Sequence, residues 1–303
     1  MADAVRTESL TKYFGAVVAL EALNLSVAPG EVYGFLGPNG AGKTTTIRIL
    51  LDLVKATSGR ALIDGLDSRT ASLEIRRRIG YLPAEMPLYR EMTGGRYLDF
   101  LAALESRPVD LSYRRQLFSR FDVSHVDLRR RLDHLSHGMK RKFGIIQALM
   151  GRPALLILDE PTSGLDPLMI EAFAETVHEL KTEGRTTIFL SSHVLSEVER
   201  LCDRVGIIRR GQLVRETSIA DLRRDTPRRL RVFFDGPAPP PPPALARAVR
   251  RSDARHWELE WAGPLGGALG AMQGLPVADI EIEPFKLEDY VLQIYSGTAE
   301  GGH

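Results

Sequence analysis

The sequence predicts an α/β fold for residues 1–217 and a small α+β domain for residues 218–303. Two observations support the α/β part. A glycine-rich loop near residue 40 joins an apolar strand to a helix, and two later apolar strands end in polar side chains near residues 160 and 193. In open α/β sheets, ligands bind at the carboxyl ends of the strands. The second domain is predicted because strand-like segments begin again after Val214.

The composition is that of an ordinary globular chain, with 303 residues, 44% of them hydrophobic, and a formal net charge of +1. This balance gives no electrostatic basis for nucleic acid as the main partner. The single cysteine, Cys202, excludes an internal disulfide framework, suits a reducing compartment and is expected to be a buried apolar residue. The sequence has no signal-peptide core and no run of 18 apolar residues. We therefore expect a soluble cytosolic chain that would need a separate partner for any role at a membrane.

The first segment, Ala4 to Val27, is predicted to form strands, because its apolar residues alternate in part. Phe14 lies within it, directly before Gly15. An aromatic ring at this place either stacks on a nucleotide base or fills a core, and strand aromatics more often do the second. The residues alone leave both interpretations open.

A glycine-rich loop follows the next predicted strand, which begins at Glu31. The loop fits the pattern G-x-x-x-x-G-K-[ST]. It consists of Gly37, Pro38, Asn39, Gly40, Ala41, Gly42, Lys43, Thr44 and Thr45. Its glycines let backbone N–H groups turn inward around phosphate oxygens, Lys43 can reach the β- and γ-phosphates, and the Thr44 hydroxyl can ligate Mg²⁺.

A helix is predicted directly after this loop, because Ile47, Leu50, Leu51 and Val54 are spaced as on one helical face. Its N-terminus would then point at the phosphates, where the helix dipole favours negative charge. The loop and the helix together predict a nucleotide-binding site.

An inserted helical subdomain is predicted at about residues 86–150. Two runs of apolar and aromatic residues have helical spacing, and we expect them to form its core. These are Tyr97, Phe100, Leu101 and Leu104, then Tyr113, Leu117, Phe118 and Phe121.

The segment LSHGMKRK, which begins at Leu135, is predicted to open the last helix of this subdomain. Ser136 and Gly138 offer a hydroxyl and a backbone N–H at the helix N-terminus, where anions bind. The charged residues that follow, Lys140 to Lys142, are interpreted as a solvated face.

Two adjacent carboxylates, Asp159 and Glu160, end the apolar strand that begins at Ala154. Asp159 can orient a Mg²⁺-bound water, and Glu160 can accept a proton from an attacking water. The alternative is that both carboxylates cap the helix after Pro161. His193 ends the strand TTIFLSSH, where it either contacts a γ-phosphate and orients the water or is a satisfied surface group.

These blocks, in this order, resemble the nucleotide-binding subunit of ATP-binding cassette (ABC) transporters over roughly Val5 to Val214. The resemblance implies a P-loop NTPase fold of ABC type that binds ATP and Mg²⁺. It implies that Phe14 stacks on adenine and that Gly37–Thr45 is the Walker A loop. It further implies that Asp159 and Glu160 are the Walker B aspartate and the catalytic glutamate, and that His193 is the switch histidine.

The same resemblance implies a dimer of two copies around two ATP molecules. Leu135–Met139 looks like the family signature and Ser163–Asp166 like the D-loop. In the family, the signature binds the γ-phosphate held by the opposite subunit. Ser136, Gly138 and Asp166 are therefore expected to complete the site of the second copy.

Two departures from the family pattern occur. His137 and Met139 replace the usual Gly and Gln of the signature, and Ala84 stands where the family usually has a glutamine. That glutamine touches Mg²⁺ and relays movement to the membrane subunit in the family, whereas an alanine cannot ligate a metal. Glu85 would then be either a substitute ligand or an exposed loop residue.

The sequence around these motifs is similar to that of ATPases of bacterial drug- and antibiotic-type exporters. We therefore expect a peripheral subunit on the inner face of the cell membrane that powers export through an integral membrane permease, without nucleic acid as a partner. The alternative is a soluble ABC ATPase that acts on ribosomes or DNA. A nucleotide-binding regulator is disfavoured by the intact Asp159–Glu160 pair, and no N-K-x-D motif of a GTPase occurs.

The C-terminal accessory domain is predicted to contain strands at Arg228 to Phe234, His256 to Ala262 and Val277 to Pro284. Helices are predicted at Ala244 to Arg251, Leu265 to Gln273 and Lys286 to Tyr295. The prolines at 237 and 239–243 favour a stiff polyproline II segment, either a rigid loop or a ligand for a proline-binding module. The last six residues are expected to be disordered.

Overall fold

The structure is a computed structural model that describes residues 2–86, 89, 91–105, 109–225, 227–261, 263–283, 288, 290 and 291. Contacts divide the chain into two compact units, Met1–Glu216 and Thr217–His303, next to the predicted boundary. Of the helix predicted at Lys286 to Tyr295 only residues 288, 290 and 291 are described, all three as helical, and the predicted C-terminal disorder lies outside the described residues. Among the described residues, no helix is long and apolar enough to cross a membrane.

The first unit contains an antiparallel sheet with the strand order β2-β1-β4-β5. Its strands are β1 (Val5–Phe14), β2 (Val17–Val27), β4 (Ser58–Ile63) and β5 (Leu66–Asp67). The two strands predicted before residue 28 are thereby found as a hairpin that places Phe14 beside Val17.

The second sheet of this unit has six strands in the order β10-β9-β3-β8-β7-β6. They are β3 (Val32–Leu36), β6 (Ile79–Leu82), β7 (Leu155–Asp159), β8 (Thr187–Ser192), β9 (Arg204–Arg209) and β10 (Gln212–Ser218). The pairs β3–β8, β7–β8, β6–β7 and β3–β9 are parallel. Buried parallel strands read as continuous apolar runs, which is why β3, β7 and β8 were recognisable in the sequence.

The first unit has eight described α-helices. They are α1 (Lys43–Leu50), α2 (Ser72–Arg76), α3 (Gly94–Leu104), α4 (Leu111–Arg120), α5 (His125–Arg129), α6 (His137–Met150), α7 (Pro167–Glu183) and α8 (Leu195–Leu201). A 3₁₀ turn at Leu132–His134 precedes α6. Helix α1 ends earlier than its apolar spacing predicts, because Asp52 has a φ of 53° and Val54 lies beyond the helix end.

One hydrophobic core joins both sheets to α1. Leu20 of β2, Phe35 of β3, Ile47 of α1 and Phe189 of β8 are all fully buried in it. Burying a side chain of this size stabilises the fold by roughly 1.5–3 kcal/mol. This core therefore fixes the first residue of α1, and with it the preceding loop, against the carboxyl ends of β3 and β8.

The segment predicted as a helical subdomain contains helices α3 to α6, and the burial of its apolar residues differs from the prediction at two positions. Tyr97, Leu117 and Phe121 are buried as expected, but Phe100 and Leu104 are exposed. Helical spacing identifies one face of a helix, whereas only the tertiary arrangement decides how much of that face another element covers.

The second unit contains a four-stranded antiparallel sheet in the order β12-β13-β11-β14. Its strands are β11 (Arg228–Phe234), β12 (Val249–Ser252), β13 (His256–Trp261) and β14 (Val277–Ile282), with helices α9 (Ile219–Asp225) and α10 (Leu265–Ala271). The helix predicted at Ala244 to Arg251 is wrong: Val249–Ser252 is a strand that pairs with β13. Pro239 of the proline run accepts a hydrogen bond (3.1 Å) from the indole N–H of the buried Trp257, as a packed loop would.

Candidate nucleotide site

The glycine-rich loop connects β3 to α1 and closes around its own lysine. Lys43 is buried, and its Nζ donates a hydrogen bond to the carbonyl of Gly37 at 2.6 Å. Gly42 has a φ of 114°, and a Cβ at Gly37 would lie 2.4 Å from the carbonyl oxygen of Ile208. The backbone can take this course because neither residue has a side chain, which produces the concave row of amides that phosphates occupy.

Three strands bring the predicted polar residues to this loop. Because β3, β8 and β7 are parallel neighbours, their carboxyl ends meet at one edge of the sheet. The register pairs Leu36 with Ser192 and Asp159 with Ser191. The structure thus brings together the loop, the two carboxylates and the end of β8, as the strand pattern predicts.

Asp159 is fully buried, and its two oxygens differ. Oδ1 accepts a hydrogen bond from the hydroxyl of Ser191 at 2.5 Å, whereas Oδ2 is the only buried side-chain polar atom of the described residues that has no partner. An unpaired buried carboxylate oxygen is unfavourable unless a cation binds it. The described residues contain no group of three His, Cys, Asp or Glu side chains that could hold a metal alone. These features fit Mg²⁺, which is bound by one or two protein oxygens with phosphate and water completing the shell.

Glu160 lies between two nitrogen groups at the edge of the site. Its Oε1 is 3.2 Å from Lys43 Nζ, and its Oε2 is 2.6 Å from Nδ1 of the exposed His193. The backbone of Glu160 has a φ of 53°, a conformation that disfavours a residue with a side chain, and its N–H donates to the carbonyl of Ser191 at 3.1 Å. A carboxylate held next to a histidine can accept a proton from a water molecule.

The charged run at Lys140 to Lys142 is not a solvated face, contrary to the sequence interpretation. Arg141 and Lys142 are both buried. Arg141 donates hydrogen bonds to the backbone carbonyls of Asp159 and Pro161, and burial lowers its pKa to about 10. A signal for this was present, because Gly144, Ile145 and Ala148 follow Arg141 at i+3, i+4 and i+7 and share its buried face.

The remaining predicted site residues lie in two other places. Phe14 is 50% exposed on the first sheet, with Lys12 Nζ 4.7 Å from its ring centroid. Ser136 caps α6 by accepting a hydrogen bond from the N–H of Met139, and Asp166 caps α7 in the same way through Met169. Gly138 lies against the turn before α7, because a Cβ on it would be 2.8 Å from the carbonyl of Gly164.

Comparison with known proteins agrees with this geometry. The ABC transporter family matches residues 20–163. The bacitracin transport ATP-binding protein BcrA of Bacillus licheniformis is 33% identical over 314 residues, which cover 99% of this chain and 100% of that protein. The lantibiotic transport ATP-binding protein SrtF of Streptococcus pyogenes is 37% identical over 212 residues, which cover 70% of this chain and 90% of SrtF.

Solved structures support the same fold. The ATP-binding subunit of an ABC transporter has a TM-score of 0.66 and 32% identity, over 73% of this chain and 92% of that one. A dimeric ATP-binding cassette, MJ0796, in a post-hydrolysis state with ADP and phosphate has a TM-score of 0.65 and 24% identity, over 71% of this chain and 98% of that one. The predicted fold class is confirmed, and the transport subunit is favoured over an ATPase of ribosomes or DNA. This chain therefore belongs to the ABC transporter family, as an ATP-binding and ATP-hydrolysing transport subunit.

Proposed function

We propose that this chain powers the export of an antibiotic-type substrate through a separate membrane permease, on the inner face of the cell membrane. The observation that carries the proposal is the likeness to a bacitracin transport ATP-binding protein over 99% of the chain. The likeness extends beyond the catalytic motifs into the C-terminal unit, whereas the other transport relatives match about 70% of the chain. Whole-length similarity of this kind supports the same class of transport system.

In the proposed mechanism, Glu160 is the general base that accepts a proton from the attacking water. His193, 2.6 Å from Glu160, orients this carboxylate and responds to the γ-phosphate. Lys43 pairs with Glu160 at 3.2 Å and would pair with the β- and γ-phosphates when ATP enters the loop. Mg²⁺, held by Thr44 and the unpaired Oδ2 of Asp159, would neutralise phosphate charge.

We further propose that two copies of the chain enclose two ATP molecules. Ser136 and Gly138 lie at the N-terminus of α6, where a hydroxyl and a backbone N–H can bind the γ-phosphate of an ATP molecule held by a second copy. Asp166 caps the neighbouring helix, and the turn before that helix passes close to Gly138, where an added Cβ would lie 2.8 Å from the carbonyl of Gly164. Two head-to-tail copies would complete each other's sites.

Replacing Glu160 with Gln tests the assignment of the base. The variant keeps the size and shape of the side chain but is uncharged and cannot accept the proton, so we expect ATP turnover to fall by at least about 100-fold. ATP binding should persist, and the chain should accumulate as an ATP-bound dimer in size-exclusion chromatography with light scattering. Glu197→Gln is the matched control, because Glu197 lies in the nearby α8 and is bonded to Ser192. Normal hydrolysis by Glu160→Gln would show that another group is the base.

A groove beside the site is the surface that we propose for the permease. It has a volume of about 360 Å³ and is lined by leucines of three segments, including Leu53, Leu73 and Leu104. All three are exposed, and clustered exposed apolar side chains mark interaction surfaces. The groove also includes Tyr81 of β6, and the chain runs from β6 directly to Pro83 and Ala84 beside the site. An apolar cytoplasmic segment of the permease would therefore bind next to residues that contact the catalytic edge, which is the edge of the sheet at the carboxyl ends of β3, β7 and β8.

A further inference from the structure

The guanidinium of Arg141 lies at the centre of the backbone around the catalytic edge. Arg141 is 1% exposed and donates to five backbone carbonyls. The acceptors are Pro161 (3.0 Å from Nε), Pro83 (2.6 Å) and Ala84 (3.1 Å) from Nη1, and Asp159 (2.6 Å) and Glu160 from Nη2. A planar guanidinium with its donors in a fixed fork can satisfy acceptors on two different segments at once.

One of these segments carries the proposed base. Glu160 has a left-handed backbone, which costs of order 1–3 kcal/mol unless the surroundings hold it. Its N–H is held by Ser191, and its carbonyl is held by Arg141. The carbonyls on either side, at Asp159 and Pro161, are bound by the same guanidinium. The direction of the Glu160 side chain toward Lys43 and His193 thus depends on Arg141.

The other segment follows β6 and contains the departure from the family pattern. The side chain of Ala84 is a methyl group and can neither ligate a metal nor donate a hydrogen bond. The structure connects this segment to the catalytic edge through the carbonyls of Pro83 and Ala84, both of which accept from Nη1 of Arg141. Main-chain carbonyls make this connection independent of the side chain at residue 84.

We propose that Arg141 is a positioning residue that joins residues 83–84 to the backbone of Glu160, so that movement of the first segment displaces the proposed base. This inference rests on the role proposed for Glu160. It supplies a path between the groove and the catalytic edge that uses a buried arginine instead of a side chain at position 84.

The substitution Arg141→Lys tests the proposal, because lysine keeps the charge and most of the volume but loses the planar fork. We expect kcat of the purified chain to fall by about tenfold or more, since two or more charged hydrogen bonds to the Glu160 segment are lost. KM for ATP should stay within about twofold of its original value, because the loop Gly37–Thr45 makes no contact with Arg141 in the described hydrogen bonds. Lys142→Gln is the matched control: it removes a neighbouring buried cation whose partner is Asp122, 3.9 Å away, and should leave kcat within about twofold.

Amide hydrogen exchange separates positioning from a general loss of stability. In Arg141→Lys, the amides of residues 84–86 and those of Glu160, Thr162 and Ser163 should exchange faster together, while those of α1 keep their protection. Lys142→Gln should leave both segments unchanged. Exchange that rises in only one segment, or an unchanged kcat, would overturn the proposal.

A double-mutant cycle provides a second test of the connection between the two segments. Ala84→Gly loosens the first segment without touching the arginine, and Arg141→Gln removes most of its donors. If the two segments are joined through Arg141, Ala84→Gly should lower kcat in the wild type and have no further effect in Arg141→Gln, whereas additive effects would contradict the connection. Full activity of Glu160→Gln would refute the role of the base, while the exchange experiment would still decide whether Arg141 joins the segments.

Discussion

The role expected of Phe14 depends on a bound nucleotide and not on contacts within the chain. Its ring is 50% exposed at the end of β1, where it adds little to the core and is free to stack on adenine. Stacking of a base on an aromatic ring is worth about 1–3 kcal/mol. We therefore expect Phe14→Ala to raise KM for ATP about tenfold with kcat unchanged, because this contact is the same in the ground state and the transition state.

Tyr13 is the matched control for this measurement, since successive side chains of a strand point to opposite faces. Tyr13→Ala should leave KM for ATP unchanged, and Phe14→Trp should preserve it. Equal effects of Tyr13→Ala and Phe14→Ala in steady-state ATPase assays would mean that the hairpin, and not the ring, is responsible.

Cys202 is buried, as its type predicts, and burial raises the pKa of its thiol. The folded state then retains a proton that the unfolded chain releases near pH 8.5. The stabilising contribution is fully present below that pH and declines as the pH rises above it. At pH 8 we expect the native thiol to react with a disulfide reagent on the order of 100-fold more slowly than the thiol in denaturant. Comparable rates would show that Cys202 is accessible in the native chain.

Single residues of the site were predictable where a motif and a strand end coincide, as at Lys43, Asp159 and His193. Arg141 was not predicted, because its acceptors lie 18 to 58 residues away in the sequence. A short run of charged residues on a helix usually faces solvent, and only the fold places carbonyls opposite this one.

At the scale of elements, the loop between β3 and α1 is the segment in which the backbone most clearly requires glycine. Gly40 and Gly42 both have positive φ, at 79° and 114°. A Cβ at Gly40 would meet open space, whereas one at Gly42 would lie 2.7 Å from Leu20 and 2.8 Å from the carbonyl of Ala19. A side chain at either position would therefore strain the backbone, but only a side chain at Gly42 would also clash with neighbouring atoms.

Gly40→Ala should lower the free energy of unfolding by about 1 kcal/mol, the cost of the left-handed backbone. Gly42→Ala should lower it by about 1–3 kcal/mol more, because the added methyl group also displaces the hairpin of β1 and β2. Denaturant unfolding without nucleotide measures both effects on stability alone. Equal losses would show that the contact with Ala19 and Leu20 relaxes freely.

The elements that sequence reasoning identified are those whose pattern is local. Continuous apolar runs predicted β3, β7 and β8, and partial alternation of apolar residues predicted β1 and β2. The segment Ala244 to Arg251 was wrongly predicted as a helix, because its last residues gain their backbone partners from β13, in which Val249 pairs with Leu259. Pairing between distant strands overrides a weak helical preference.

At the scale of the whole molecule, the groove that includes Leu53, Leu73 and Leu104 was not predicted, because its walls come from segments far apart in the chain. The helical spacing of Leu104 with other apolar residues predicted that it lies in a core. Its exposure is explained if the groove is covered in the assembled transporter. An apolar surface of this kind is a site of association with another protein. A charge placed in the groove should therefore weaken the binding of the permease.

Leu73→Asp tests this at the most exposed leucine of the groove, where the side chain is 71% exposed and contributes little to the fold. We expect the tagged variant to hydrolyse ATP like the wild type but to lose, by at least about tenfold, the membrane protein that copurifies from gently solubilised membranes, since an interface carboxylate would be buried without a partner. Leu111→Asp is the control, because Leu111 is 59% exposed at the start of α4 and does not line the groove. Equal recovery of a polytopic membrane protein with both variants would place the permease elsewhere. Recovery of the wild type with ribosomes or DNA, and no membrane protein, would refute the exporter proposal and leave the ATP site intact.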